Sequence, residues 1–385
     1  MRAAGAPMTP LDIARHLVAI DSVNPSLVPG AAGEAAMADW IAGWLRRAGF
    51  DVEVRELAPG RPNVVAVADG AGPGPTRMLC GHTDTVGVEG MAAPFRPEVR
   101  DGRLFGRGAQ DMKGGLAAMM AAAAGWIGGP RAGAGRVVVA AVADEEYASL
   151  GGEALARDWP ASEAIIPEPT GMAVAIAHKG FSCVEVVTHG RAAHGSRPAD
   201  GVDAVLLMGR VLARLESLDR DLQARPPHPR LGTASLHAGR IAGGTELSIY
   251  PARCSLQVER RTLPGEPLDV AVSEVGAIVE QLARSDPSFR AEVTLLLARP
   301  AYRIDAGHPL PVRVRRLAAD IGRDAPLTGM SFWTDAALLG AAGTPAVLLG
   351  PRGAGLHAAD EHVVVEDLDA CAEIFTRWLS GPATP

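Results

Sequence analysis

Lysine is nearly absent from this chain: two residues, Lys113 and Lys179, stand against 35 arginines. In so Arg-rich a sequence a retained lysine reflects either chance or a need for a compact ammonium. A basic excess is also missing, since 37 Lys and Arg against 44 Asp and Glu leave a net charge of −7. That balance argues against a nucleic-acid partner, which needs a basic face. Cysteine is limited to Cys80, Cys183, Cys254 and Cys371, far apart and without a C-x-x-C pair. Neither a disulfide framework nor a structural zinc site follows, and all four read as buried thiols. No apolar run reaches the roughly 20 residues that a bilayer requires. The longest, Leu116–Ile127, is Ala-rich and reads as a buried helix. Met1–Pro10 has no apolar stretch after a basic start, so no signal peptide is expected. The expected location is the cytoplasm, with no membrane partner.

What is present is an ordinary globular composition, 48% hydrophobic and 21% charged over 385 residues, enough for two domains or at most three. Thr9–Ile20 opens with a capping threonine and a proline, then repeats apolar residues at helical spacing. Gly33–Ala48 does the same and stops at Gly49. Asp51–Glu56 and Asn63–Ala68 alternate like strands. Short apolar runs then lead into polar loops at Arg77–Cys80, Arg136–Ala143, Ala164–Ile166 and Pro345–Leu349, with helical stretches between several of them. This alternation predicts an α/β layer on a mostly parallel or mixed sheet. The middle differs: strand Phe181–Thr188, helix Gly201–Leu218, strands Thr233–Ile241 and Ala252–Arg260, helix Leu268–Arg284, and a further strand Ala291–Leu297. The Pro- and Arg-rich Leu222–Gly232 reads as a loop. The expected organisation is therefore a catalytic domain of residues 1–178 and 293–385, interrupted by an inserted α+β domain of residues 179–292.

Polar residues follow the apolar runs: His82, Asp84, Glu145, Glu146, Glu168 and His357. Ligands of open α/β sheets bind outside the carboxyl ends of the strands, so residues far apart in sequence can meet there. Imidazole and carboxylate suit zinc, manganese or cobalt. In His82-Thr83-Asp84 the imidazole can bind metal through one nitrogen while the carboxylate two residues on accepts the proton of the other. An ordinary hydrogen-bonded histidine would look the same. Gly106–Gly115 holds four glycines in ten residues, as a backbone in close approach to something does. Within it Asp111 is either a helix cap or a carboxylate bridging two metals. The consecutive acids Asp144-Glu145-Glu146 repel one another unless cations are near. They form either a solvated loop or a division of labour, one glutamate binding metal and the other taking a proton from water activated there. Glu168 sits between Pro167 and Pro169 in a stiff loop, and His357 follows a Gly-rich stretch. Together they supply the asymmetric ligand set that two metals need.

Seven segments in order carry a resemblance across nearly the whole chain: GHTDTV at Gly81–Val86, GRGAQDMKGG at Gly106–Gly115, DEE at Asp144–Glu146, PEPT at Pro167–Thr170, GRAAHGSRP at Gly190–Pro198, ERRTLPGE at Glu259–Glu266 and LHAADEHV at Leu356–Val363. The chain resembles the family that contains acetylornithine deacetylase, succinyl-diaminopimelate desuccinylase, aminoacylase and glutamate carboxypeptidase, dinuclear zinc hydrolases. The resemblance implies a mixed-sheet, metallopeptidase-like catalytic domain and an inserted lid and dimerisation domain, hence a homodimer. It implies that His82, Asp111 and Glu168 hold one Zn2+, that Asp111, Glu146 and His357 hold the other, and that Co2+ or Mn2+ suits the same ligands. Glu145 is then the general base toward a metal-bridging water, and Asp84 the partner of His82. In the inserted domain His194 matches a histidine that in some members reaches the partner subunit's site and stabilises the oxyanion. Arg261 matches an arginine that binds the substrate carboxylate, and Arg260 is a decoy beside it. One departure stands out: Ser248 occupies a position where many members carry Asn, so a hydroxyl with fewer donors replaces an amide.

The implied function is metal-dependent hydrolysis of the amide bond of an N-acyl amino acid, as in an acetylornithine deacetylase. A carboxypeptidase or dipeptidase acting on small peptides is the alternative, because the same water attack serves any amide. A catalytically silent binding protein on this fold is the alternative of another class, disfavoured because every ligand and the base are present.

Overall fold

The computed structural model describes residues 8–129 and 135–381. Most of the Met1–Pro10 stretch and all but the first residue of the Gly381–Pro385 tail lie outside them. The chain divides into two compact units, one formed by Met1–Ile176, Ile304–Thr328 and Thr334–Pro385, the other by Ala177–Arg303 with Gly329–Trp333.

The larger unit is built on a mixed sheet. Among the described residues, six of the sheet's nine strands lie in the order Asp51–Ala58, Arg61–Asp69, Arg136–Val142, Thr76–His82, Glu163–Ile166, Ala346–Leu348. The first three pair antiparallel. Arg136–Val142, Thr76–His82, Glu163–Ile166 and Ala346–Leu348 run parallel to one another. These four read as nearly unbroken apolar runs because helices cover both faces, as parallel strands require, and Val137–Val142 is buried throughout. Parallel pairing places all four carboxyl ends at one edge, and the polar loops expected to carry chemistry leave from that edge.

The helices follow their local signals. Thr9 accepts the Asp12 N–H at 3.2 Å while the Asp12 carboxylate accepts the Thr9 N–H at 3.0 Å, a reciprocal cap for helix Pro10–Val18. Helix Ala35–Ala48 stops at Gly49, whose φ of 99° suits glycine. Helix Gly114–Gly128 is apolar on every side, and Leu116, Met119 and Met120 are fully buried, as expected of a helix without a polar face. It packs against the last helix, Val365–Ser380, which contributes the buried Phe375 and Trp378. Each such side chain contributes roughly 1.5–3 kcal/mol on burial. Among the described residues no helix is long and apolar enough to cross a membrane.

The smaller unit is an antiparallel sheet in the order Ser235–Gly243, Arg253–Thr262, Gly180–His189, Ala291–Arg299. Helices Ala204–Gln223 and Val270–Ser285 close a core with Val184, Val186, Leu207, Met208, Leu256, Val258 and Phe289. The period of two is clean along Arg253–Thr262: Leu256, Val258 and Arg260 are buried, Gln257, Glu259 and Arg261 half-buried. Two details differ from the sequence expectation. The boundary expected at 292/293 falls inside strand Ala291–Arg299, which pairs with Gly180–His189 through Ala291↔Thr188 and Arg299↔Phe181 and so stays with the smaller unit. Of the four thiols, Cys80, Cys254 and Cys371 are buried, but Cys183 is only half-buried because it lies on the outward row of its strand.

Arg77 fastens the larger unit. It is 2% exposed. Its Nε meets Glu163 Oε1 at 2.8 Å, and its Nη1 donates to the carbonyls of Leu379 at 3.0 Å and Gly381 at 2.8 Å. Glu163 also pairs with Arg313. Removing one partner of a buried ion pair costs about 3–5 kcal/mol. Because Arg313 still holds Glu163, Arg77→Ala is expected at the low end, about 3 kcal/mol. Denaturant unfolding followed by tryptophan fluorescence measures it, and a loss below about 1 kcal/mol would make this pair no better than a surface one.

Candidate metal centre

The four parallel strands deliver their polar ends to one place. His82 is the last residue of Thr76–His82, the acids Asp144-Glu145-Glu146 follow Arg136–Val142, Glu168 follows Glu163–Ile166, and beyond Ala346–Leu348 His357 lies in the loop between the short strands Gly353–Ala354 and His362–Val364. Asp111 comes from the irregular turn Ala109–Lys113 that leads into helix Gly114–Gly128. Asp111 Oδ1 is 3.1 Å from His82 Nε2, and Glu168 Oε1 is 4.0 Å from that same nitrogen. Asp111 Oδ2 is 3.4 Å from His357 Nε2, which lies at an equal 3.4 Å from Glu146 Oε2. The two oxygens of one carboxylate therefore face two different imidazoles, each with its own glutamate.

This donor set fits divalent cations. Two donors about 2.1 Å from a tetrahedral ion sit about 3.4 Å apart, whereas a charge-assisted N–H···O bond closes to about 2.7–2.9 Å. The His357 contacts have the first spacing and not the second. His82 Nδ1 lies 3.0 Å from the Asp84 carbonyl and must donate to it, which turns the Nε2 lone pair toward the Asp111 carboxylate, acceptor against acceptor. Only a proton or a cation resolves that contact. Glu146 Oε1 is buried and has no hydrogen-bond partner among the described residues. Donor atoms of His82, Asp111 and Glu146 all lie within 4.8 Å of one another.

The titration tendencies have the same source. Burial pushes the Glu145 and Glu168 carboxyls well up, against the pull of His82, and raises Glu146 to about 6. His357 rises to about 10 through its bonds to Asp111 and Glu146. Burial opposes charge on His82 but is outweighed by Asp111 and Asp84, so its pKa is raised. The site as a whole calls for positive charge.

Asp84 ties the pieces together. Its carboxylate is 3.5 Å from His82 Nδ1, farther than the Asp84 carbonyl, and accepts the backbone N–H groups of Glu145 and Glu146, each at 3.1 Å. Asn24 Nδ2 donates to Asp84 Oδ2 at 2.8 Å and to Asp144 Oδ1 at 3.1 Å. Arg61 pairs with Asp144 at 2.7 Å and with Glu34 at 2.6 Å, all three buried. Asp144 has a φ of 70°, a conformation held by its surroundings rather than by its own preference. Sequence reading missed Asn24, Glu34 and Arg61, which resemble a pre-proline turn residue, a helix start and another pre-proline residue. It also missed Asp335, which raises Glu145 and Glu168 by its charge and reads in sequence as a helix cap.

Two glycine-loop residues become intelligible. A Cβ on Gly115 would lie 2.1 Å from the Pro167 carbonyl oxygen, so the helix start abuts the loop that holds Glu168. Lys113 is buried and donates to the Ile20 carbonyl at 2.8 Å with its ammonium 5.7 Å from the Phe95 ring. Burial lowers its pKa to about 7. Lys179, in the smaller unit, donates to the Thr233 carbonyl at 2.6 Å.

The other site residues lie in the smaller unit. His194 is exposed, with Nδ1 2.8 Å from Ser196 Oγ. It bridges to Ile249, and the Gly195 N–H donates to the Ser248 carbonyl at 2.7 Å. Arg261 is half-buried, pairs with Glu259 at 2.9 Å and lies 5.6 Å from the Phe181 ring. Arg260 points to the other face, fully buried between Glu266 at 2.7 Å and Glu274 at 2.9 Å.

The model of Peptidase family M20/M25/M40 matches residues 78–381. An acetylornithine deacetylase from Myxococcus xanthus is 31% identical over 360 residues, covering 89% of this chain and 90% of the relative. A tripeptidase from Staphylococcus aureus subsp. aureus Mu50 has a similar fold, with a TM-score of 0.80, 20% identity and coverage of 96% and 98%. A dinuclear metal-binding peptidase of this family from Bacillus subtilis gives a TM-score of 0.73 at 16% identity, with 96% of each chain covered.

Two outcomes follow from this geometry. Gly115→Ala is expected to cost about 1–3 kcal/mol by overpacking, whereas Gly128→Ala in the same helix, with nothing within 4 Å, should not destabilise. Equal unfolding midpoints for the two variants would contradict the close approach. Protein stripped by a chelator should gain stability with Zn2+, Co2+ or Mn2+, by about 2.7 kcal/mol at a hundred times Kd. A melting temperature unmoved by all three would remove the metal reading.

Proposed function

The chain belongs to peptidase family M20/M25/M40, and from that premise we propose that it is a zinc-dependent hydrolase removing the acyl group of an N-acyl amino acid, in the manner of an acetylornithine deacetylase. The observation that carries the reading is Asp111, with one oxygen toward His82 and the other toward His357. His82, Asp111 and Glu168 would hold one ion, and Asp111, Glu146 and His357 the other. Bound there, Zn2+, or Co2+ or Mn2+ in its place, polarises a carbonyl and lowers the pKa of water.

The remaining work falls to the chain. Glu145 takes the proton of the attacking water and returns it to the leaving amine. Asp84 orients His82 and holds the backbone of Glu145 and Glu146. Arg261 presents a planar fork that matches a substrate carboxylate. Ser248 offers a hydroxyl to the substrate, and His194 a donor to the tetrahedral oxyanion. A homodimer accords with the exposed edge strand Ser235–Gly243 and the exposed Leu206 and Leu247. The cytoplasm is the proposed location. The tripeptidase-like fold keeps a dipeptidase or carboxypeptidase as the second reading, since an arginine that takes an amino-acid carboxylate serves a peptide C-terminus equally well.

A panel of N-acetylornithine, succinyl-diaminopimelate, other N-acyl amino acids and dipeptides, each assayed with zinc, cobalt and manganese, separates the two. Turnover of the acyl amino acids above the dipeptides is expected, and the reverse order transfers the assignment to a peptidase. Glu145→Ala should retain its metal content and lose roughly 100-fold or more in kcat. Wild-type rates in that variant would sink the base assignment.

A further inference from the structure

Glu361 takes no part in the chemistry above, yet its carboxylate is saturated with donors from the Asp111 turn. It is 1% exposed. Oε1 accepts the backbone N–H groups of Gln110 at 2.9 Å and Asp111 at 3.1 Å. Oε2 accepts the Gly108 N–H at 2.9 Å and Arg107 Nη1 at 2.7 Å. A carboxylate offers about four acceptor sites, so this one is filled. The Gly106 N–H also donates to the Glu361 carbonyl, at 3.2 Å. Arg107, itself 2% exposed, is anchored at its other end by a 2.8 Å bond from Nε to the Gly87 carbonyl.

Glu361 closes the loop that carries His357. Directly after it, strand His362–Val364 pairs with Arg103–Phe105 on one side and with Gly353–Ala354 on the other. One buried carboxylate thus joins the segment that presents Asp111 to the segment that presents His357. Part of this charge answers the buried Arg107, but the carboxylate's other three bonds go to the backbone of the Asp111 turn. What the charge provides is direction. Three converging backbone N–H groups form an anion-binding concavity, and closing it on Glu361 sets the backbone of Asp111 and hence where its two oxygens point.

We propose that Glu361 is a positioning residue which, by gripping the Asp111 turn from the His357 loop, sets the carboxylate shared by the two cations. The inference rests on the two-metal reading above. It carries a distinctive signature: a misplaced Asp111 weakens both ions together, whereas a lost terminal ligand weakens one.

The test is zinc binding to the full chain by competition with a chromophoric chelator. In Glu361→Gln the amide NH2 faces N–H donors. In Glu361→Asp the charge stays, but one methylene short of the turn. Both variants should fold by circular dichroism and lose about 10–100-fold in affinity for both equivalents of zinc, the usual effect of disturbing a ligand's support. Glu163→Gln, a buried carboxylate at the opposite end of its strand and bonded to Arg77 and Arg313, should lose stability and keep wild-type zinc affinity. If Glu361→Gln does not fold, Glu361→Asp decides. If the wild type binds two equivalents and a folded Glu361 variant binds them as tightly, the positioning role is overturned. It is overturned as well if neither variant folds, for the carboxylate then serves folding. A wild type that binds no zinc overturns the two-metal reading itself.

Discussion

Five carboxylates, those of Asp84, Asp111, Glu145, Glu146 and Glu168, converge at one edge of the sheet with His82 and His357 among them. Unit charges 4 Å apart repel by about 4 kcal/mol at an effective dielectric near 20. The larger unit is organised around containing that repulsion. Asp84 is quieted by backbone N–H groups and Asn24, and Asp144 by Arg61. Asp111, held low by His357 and His82 against its burial, stays ionised between two imidazoles. At Glu145, Glu146 and Glu168 the imidazoles only partly offset burial, which drives these carboxyls toward taking up positive charge. A hydrophobic core of strands and apolar helices is what makes the concentration tolerable, because it fixes the strand ends rigidly enough for each oxygen to face a chosen neighbour.

Much of this was legible in the sequence. Alternating apolar runs and polar loops identify an α/β layer, and parallel strands oblige their carboxyl ends to meet, so His82, the acids after Val142, Glu168 and His357 could be grouped without coordinates. The capping threonine, the stop at Gly49 and the buried Ala-rich helix are local signals with local causes. The distinction between Arg260 and Arg261 is the period of two at work: neighbours on a strand face opposite ways, and only the burial pattern reveals which way each one goes.

What escaped is support rather than chemistry. Asn24, Glu34 and Arg61 hold the acidic loop through contacts 60 to 120 residues away in sequence, as in Asn24 to Asp84 and Asn24 to Asp144. No periodicity encodes such pairs. Asp335 passes for a helix cap, and Glu361 for one more acid near a histidine. The tautomer of His82 also turned on a detail below sequence resolution, since the Asp84 carbonyl lies closer than its carboxylate. The lysine bias resolves differently at its two positions: Lys113 is sealed beneath the glycine turn, while Lys179 is only half-buried against a carbonyl.

The ligand-bearing loops are spread widely along the chain, and the whole smaller unit lies between Glu168 and His357. A ribosome making about 5–20 residues per second needs roughly 10–40 s to travel from one to the other. During that interval the nascent chain owns His82, Asp111, Glu146 and Glu168 but lacks the second imidazole, so one half of the centre can be assembled while the other cannot. Maturation of the pair is thereby deferred until the inserted unit has been synthesised, and a prematurely terminated chain is born without a complete centre.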